Sequence, residues 1–335
     1  MNQRRLTLMM MTAAWLAAHG GAARSAQGPA PTSPPPSRPP LPLAHGWKAL
    51  SDMPLGLAKF GAAVVGTQVV AAGGYDTLRT VQLLDAVAGT WSSGSPLIRG
   101  TDNVAVLAVR GRVHAIGGEA RTANQVYDPV AGTWVLGPPS PRIRFASAAA
   151  VLNGRLHLMG GWNYNNNASD SLDSHDIYDP KTGTWAPAAP LATKRNAAAA
   201  AVLEGRIVVI GGRAPGIRAN DQTSLASCEI YDPVADRWSE GPTLPQARAS
   251  LAAVTLGGSI YALGGESTPG GVLAAVTRLD ALTASWATLP DMPLAVHGLA
   301  AVVVRRGLIV MGGFTGASDA VGTESRQCWR YKPQA

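Results

Sequence analysis

The chain has 335 residues, 46% of them apolar, with 38 Gly and 25 Pro against only 3 Phe, and a formal charge of +7. That apolar share is enough for an extended core, yet no run of 18 apolar residues occurs, which excludes a membrane-spanning helix. Many Gly and Pro with few large aromatics suit short strands joined by tight turns, in two domains or one large unit.

Arg4 and Arg5 open the chain, an apolar run from Leu6 to Ala18 follows, and small residues continue to Ser25. A positive start, an apolar stretch too short to span a bilayer and a cut near Ala23-Arg24-Ser25 predict a signal peptide over residues 1–25. Export to the periplasm or beyond is therefore expected. Cleavage would remove Arg4, Arg5 and Arg24 and no acid, leaving +4. So small a charge speaks against nucleic acid as a partner. Gly28 to Leu43 carries eight prolines in sixteen positions, so residues 26–45 read as an extended spacer without a core.

From Trp47 onward one pattern recurs. In its clearest form Val113-His114-Ala115-Ile116-Gly117-Gly118 leads to Val126-Tyr127-Asp128-Pro129 and then Gly132-Thr133-Trp134. Copies run from Leu156 to Trp185 and from Ile207 to Trp238, and weaker ones end in Gly73-Gly74 with Trp91 and Gly264-Gly265 with Trp286. A sixth pair, Gly312-Gly313, has no downstream Trp in the matching place. Successive pairs are 44, 43, 51, 53 and 48 residues apart, a period that indicates propeller blades or a solenoid.

These residues resemble the kelch repeat, and the resemblance covers Trp47 to Pro333. It implies an all-β, six-bladed β-propeller of four-stranded antiparallel blades over residues 46–335. Blade three parses into strand a over Phe145 to Leu152, an Asn153-Gly154 hairpin, strand b over Arg155 to Gly160, strand c ending at Tyr178 and strand d near Trp185. The last unit stops at Tyr331-Lys332-Pro333, the strand c position. Trp47 to Pro54 looks like a strand d without a blade, since it closely matches Trp286 to Pro293. The N-terminal strand should complete blade six and close the ring. The repeated Trp and Tyr residues are expected to pack between blades.

Cys228 and Cys328 hold equivalent places in blades four and six, which are not neighbours, so a disulfide is not expected. Both should be buried and reduced.

Strand parity puts the d–a and b–c loops on one face. There the alignment gathers Arg144, Arg195 and Arg248 at the start of strand a, with Lys59, Arg99 and His297 close by in blades one, two and six. Arginine's planar fork suits carboxylate, sulfate or phosphate, and the three are expected to line the channel mouth, unless each is paired locally. The residues after each Gly pair form a second ring: Tyr75, Glu119, Trp162, Arg213, Glu266 and Phe314. Their diversity suggests ligand contact, and Glu119 and Glu266 are the candidates for acid–base work. No paired metal spacing occurs among the histidines, and the Tyr–Cys cross-link of kelch copper oxidases has no counterpart, so no metal and no cofactor is expected.

The leading expectation is an exported, monomeric binding protein. Its partner would be an anionic or carbohydrate small molecule, or an acidic protein segment, at an Arg-lined mouth. The resemblance also admits a sialic-acid mutarotase-like sugar epimerase, with Glu266 or Glu119 moving protons. A third possibility is a protein-interaction scaffold using the long loops after Trp162 and Arg213.

Overall fold

The computed structural model describes residues 46–165, 168–214, 223–281, 283–317 and 319–333. The signal and spacer expected at 1–45 lie outside them. Six four-stranded antiparallel sheets follow in chain order, and they are the six blades. In blade three, strands a to d are Ala148–Leu152, Arg155–Met159, His175–Asp179 and Thr184–Ala188. Strand a is shorter than its run of small residues suggests. Phe145 bridges to Trp162 and Ala146 bends at positive φ, so the ladder begins only at Ala148.

The closure expected from the terminal half-repeats is present. Trp47–Ala49 pairs antiparallel with Cys328–Tyr331, Trp47 opposite Tyr331, so the first strand is the outer strand of the last blade. Each full repeat sets its Tyr directly across from its Trp: Tyr127 and Trp134, Tyr178 and Trp185, Tyr231 and Trp238. Those rings stack at 5.0, 5.0 and 5.1 Å. Aromatic pairs of this kind add about 0.5–1.5 kcal/mol beyond their area. The indole N–H groups of blades one to five also reach back one blade. Trp91 donates to the Ser51 carbonyl at 2.9 Å, Trp134 to Ser95 at 3.0 Å, Trp185 to Pro138 at 3.2 Å, Trp238 to Ala189 at 2.7 Å and Trp286 to Pro242 at 2.9 Å. The accepting residue always lies four past the previous repeat's Trp, so these indoles bolt blade to blade.

Two circles of backbone hydrogen bonds hold the blades around the axis. In the inner circle each N–H donates to its counterpart in the preceding blade: Lys59 to Gly298, Asn103 to Lys59, Ala146 to Asn103, Ala197 to Ala146, Ser250 to Ala197 and Gly298 to Ser250, at 2.7 to 2.9 Å. All six sit at positive φ, between 48° and 61°. A left-handed non-Gly residue costs about 1–2 kcal/mol, and a backbone bond returns a net of about 0.5–1.5. The circle therefore fixes geometry more than it adds stability. In the second circle the second Gly of each pair donates to the next blade: Gly74 to Thr101, Gly118 to Arg144, Gly161 to Arg195, Gly212 to Arg248, Gly265 to Val296 and Gly313 to Leu57. The last of these closes the ring again. Only Gly fits the first position of each pair. A Cβ there would meet that same carbonyl at 2.4 to 2.7 Å.

Cys228 and Cys328 are free, buried and in different apolar clusters. Burial pushes their thiols up to about 11 and about 12, so neither is a ready nucleophile near neutral pH.

Blades three and four also share a buried histidine contact. His157 Nδ1 lies 2.9 Å from His175 Nε2. The two rings pack against Tyr231 of blade four. Burial holds His157 near about 3 and His175 near about 4, with His175's own charge opposing that of His157. Both are neutral when folded, whereas an unfolded His titrates near 6.5. The contribution of the pair is whole above pH ~6.5 and is lost as pH falls through that value toward 4, because the unfolded chain then binds the extra protons. Each such proton is worth about 1.4 kcal/mol per pH unit. His157→Val with His175→Val, copying the apolar character of Val208 and Cys228 in blade four, should flatten the fall in Tm between pH 7 and pH 5. An unchanged slope would show that the histidines do not govern it.

Candidate functional site

The loop-bearing face is where the site expectations meet the structure. Arg144, Arg195 and Arg248 occupy equivalent places, but they do not line the mouth. Each is 1% exposed. The reason lies in the Gly pair, which ends strand b and leaves the first glycine's carbonyl without a ladder partner. Arg195 fills that need: Nη1 donates to the Gly211 and Ser227 carbonyls at 2.8 and 3.0 Å, and Nη2 to Ser227 Oγ and Glu229 Oε1 at 3.1 and 2.7 Å. Arg144 does the same for Gly160 and Ser174 and pairs with Asp176. Arg248 bonds Gly264, Ala275 and the Thr277 hydroxyl. Burial lowers Arg144 and Arg248 to about 10, so both stay charged at neutral pH. In blade two Thr101 takes the arginine's place and its hydroxyl donates to the Gly117 carbonyl at 2.8 Å.

The second ring is assembled at the mouth. Trp162, Arg213, Glu266 and Phe314 each form a bridge to the residue just after the arginine position: Phe145, Asn196, Ala249 and His297. Tyr75 donates its N–H to Ala58 in the same manner at 2.9 Å. Glu119 departs from the pattern, since it lies exposed on a single 3-10 turn, Gly118–Ala120. Contacts then pass from blade to blade. Arg213 of blade four pairs with Glu266 of blade five. Glu266 lies 3.2 Å from His297 Nδ1 of blade six. His297 stacks on Phe314 at 5.3 Å, and Phe314 meets Tyr75 of blade one edge-on at 5.4 Å. Lys59 stands over the Tyr75 ring at 5.5 Å and pairs with Asp319.

Two of these residues support the rim and do not form it. Phe314 is 0% and His297 1% exposed, so both are packed beneath it, the His297 Nε2 bonding the Gly316 carbonyl at 3.0 Å. Tyr75, Trp162 and Arg213 are half-buried and reach the surface. Sequence reasoning set Lys59 close to the mouth but missed Asp102 and Asp319, which join this rim from blades two and six. Asp102 is buried and held above the ordinary carboxylate range, chiefly by desolvation, with Lys59 pulling it down and Glu119 and Asp319 pushing it up.

Glu266 is the most perturbed acid of the rim. Burial raises it, but His297, Arg213 and the Ser250 hydroxyl together outweigh burial and hold it at about 2. It is ionised throughout the physiological range. The mouth thus carries both signs, Lys59 and Arg213 against Glu266, Glu119 and Asp319, in place of the arginine-rich surface expected.

The long loops of blades three and four begin as small hairpins, Trp162–Asn165 with Ala168–Ser171 and Arg213–Ala214 with Thr223–Ser224. Residues 166–167 and 215–222 lie outside the described residues.

A family described as the KLHDC2/KLHL20/DRC7 Kelch-repeats domain matches residues 103–313, and the Kelch motif matches 57–98. The chain belongs to the kelch-repeat family. Among its relatives, Kelch-like protein 40 of Mus musculus is 38% identical over 92 residues, 28% of this chain and 14% of that protein. Kelch-like protein terF of Aspergillus terreus is 36% identical over 93 residues, 26% of this chain and 19% of that one. The chain thus aligns with a minor part of each relative's length. A solved structure titled "Structure of YjhT" superposes with a TM-score of 0.72 over 83% of this chain and 95% of that chain, at 15% identity. At that identity the likeness is one of fold.

Proposed function

We propose that this kelch propeller is a recognition scaffold that seats a polypeptide segment of mixed charge across its mouth. One observation carries the reading. A single framework position, held outside blade two by an equivalent backbone N–H bond, presents Tyr75, Trp162, Arg213 and Glu266, so the scaffold is constant while the chemistry varies. Lys59 and Arg213 supply cations, Glu119 and Asp319 supply acids, and Tyr75 and Trp162 supply the aromatic anchors typical of binding hot spots. An acidic small molecule or a carbohydrate is a narrower occupant of the same rim. It loses its main support once Arg144, Arg195 and Arg248 are turned inward.

Acid–base catalysis at Glu266 fits the geometry poorly. A carboxyl held at about 2 has no proton to give near neutral pH and is a weak base. A sugar epimerase would have to rely on Glu119. The sequence signal over residues 1–25 further supports action outside the cytoplasm.

The test combines Tyr75→Ala, Trp162→Ala and Arg213→Ala in one chain and compares capture of proteins from the exporting compartment by cross-linking. Losing two aromatic anchors and a cation should weaken capture by about 100-fold or more, since each anchor is worth upward of 1 kcal/mol. Capture unchanged in a folded triple variant would overturn the reading. Faster anomeric equilibration of N-acetylneuraminate, followed by NMR and lost in Glu119→Ala, would replace it with the epimerase.

A further inference from the structure

Blades three and four meet one local need in two ways. In both, the second residue of strand c is an acid facing the loop that enters from the previous blade: Asp176 and Glu229. In blade three Pro141 has no N–H to offer, and Arg142 folds over the acid instead. Its Nε lies 2.8 Å from Asp176 Oδ2 and its Nη2 3.3 Å from Oδ1. Asp176 thus holds two guanidinium groups, Arg144 from within and Arg142 from outside.

Thr193 stands at the Arg142 position in blade four. There the N–H groups of Ala192 and Thr193 donate to Glu229 at 2.7 and 3.1 Å, and Arg195 is the inner cation. On the outer side lies a cavity of about 410 Å³, lined by Thr193, Arg195, Glu229, Trp238, Glu240 and Thr243 among others. Glu240 is directly opposite Glu229 in the strand register, whereas Asp176 faces Pro187. Like charges across a ladder are destabilising unless a cation sits between them. Among the described residues no cation pairs with Glu240, and Arg195 has its four terminal N–H bonds committed inside the blade. Glu229 accepts three bonds where a carboxylate has about four lone-pair sites. One buried cation against two carboxylates leaves the groove one positive charge short of neutral, and Trp238 adds a ring of the kind that attracts a guanidinium.

We propose that this groove on blade four binds the guanidinium of an arginine side chain from a partner polypeptide, seated where Arg142 sits in blade three. The site involves the outer strand Arg237–Gly241 and none of the mouth residues named above. It does not depend on the mouth reading.

The full chain is titrated with acetyl-Gly-Arg-Gly-amide, its citrulline and lysine counterparts, and agmatine, with binding followed by saturation-transfer NMR. The arginine peptide should bind, and the citrulline peptide should not. Glu240→Gln should weaken binding by about threefold or more, in line with one partly exposed ionic contact. Thr193→Arg, which supplies the missing side chain from within, should weaken it by about tenfold or more and raise Tm. Both variants are checked for a native circular dichroism spectrum. Tyr75→Ala, Trp162→Ala and Arg213→Ala together should leave the peptide's affinity unchanged, which separates this site from the mouth. No binding of the arginine peptide, undiminished binding to folded Thr193→Arg, or equal binding of the citrulline or lysine peptide would overturn the proposal. Agmatine binding tighter than the peptide by about tenfold would overturn the assignment to a polypeptide.

Discussion

Replacing Arg195 by methionine should lower the unfolding free energy by about 3–5 kcal/mol, the usual consequence of removing one partner of a buried ion pair. Glu229, 4% exposed, would keep its charge with only two backbone donors, the Gly211 carbonyl would lose its donor, and the Ser227 carbonyl would keep only the Gly211 N–H. The same change at Arg248 is the control. Its side-chain partner is the neutral Thr277 hydroxyl, so Arg248→Met strands the Gly264 carbonyl but no charge and should cost about 1–3 kcal/mol. Joining Arg195→Met to Glu229→Leu should recover part of the loss, because an apolar pair avoids the desolvation cost of both ions. Denaturant midpoints of the four chains decide the matter. Equal losses at Arg195 and Arg248 would mean that the orphaned carbonyls, and not the charge, set the penalty.

The second large effect is expected at the Gly pairs. Gly211 has φ +62°, and a Cβ there would lie 2.4 Å from the Arg248 carbonyl oxygen of the next blade. That oxygen is backbone, and it also accepts the Gly212 N–H at 3.0 Å in the second circle. Gly211→Ala must therefore push two blades apart or bend the strand end, with a cost of about 2–4 kcal/mol from strain and overpacking together. Gly205, in the a–b turn of the same blade, has φ +72° and nothing within 4 Å of the added atom. Gly205→Ala meets only the left-handed penalty, about 1–2 kcal/mol. If the two variants melt alike, inter-blade crowding is not what reserves the pair for Gly.

The arginine column shows where reading from sequence stops. The alignment of Arg144, Arg195 and Arg248 was legible, and so was their place at the start of strand a. Their direction was not, because a repeat specifies which backbone position a residue occupies and not which neighbour its side chain will satisfy. A signal did exist in the partner strand. Asp176, Glu229 and Thr277 stand second in strand c of the blades with the arginine, while the corresponding residue is Gln82, Gln125 or Trp329 in the blades without it. Those glutamines staple the loop backbone at Leu55 and Arg99 instead. A polar residue changing in step with the arginine marks an internal partnership.

The second ring was read more successfully. Its members were placed by counting from each Gly pair, and four of the six form the same bridge. Phe314 fell beneath the rim because blade six supplies His297 and Tyr75 of blade one supplies an edge to cover it.

By itself the sequence determined the blade count, the antiparallel order within each blade, the closing strand at Trp47 and the separation of the two thiols. All of these follow from period and punctuation, which are properties of one strand and its turns. Only the tertiary structure decided that the arginines face inward, that Lys59 and Asp319 meet at the mouth, and that blade four keeps a groove where blade three has Arg142. Those outcomes depend on which carbonyls are left without donors and which charges lie within a few ångströms across blades. Such distances exist only once the ring has closed.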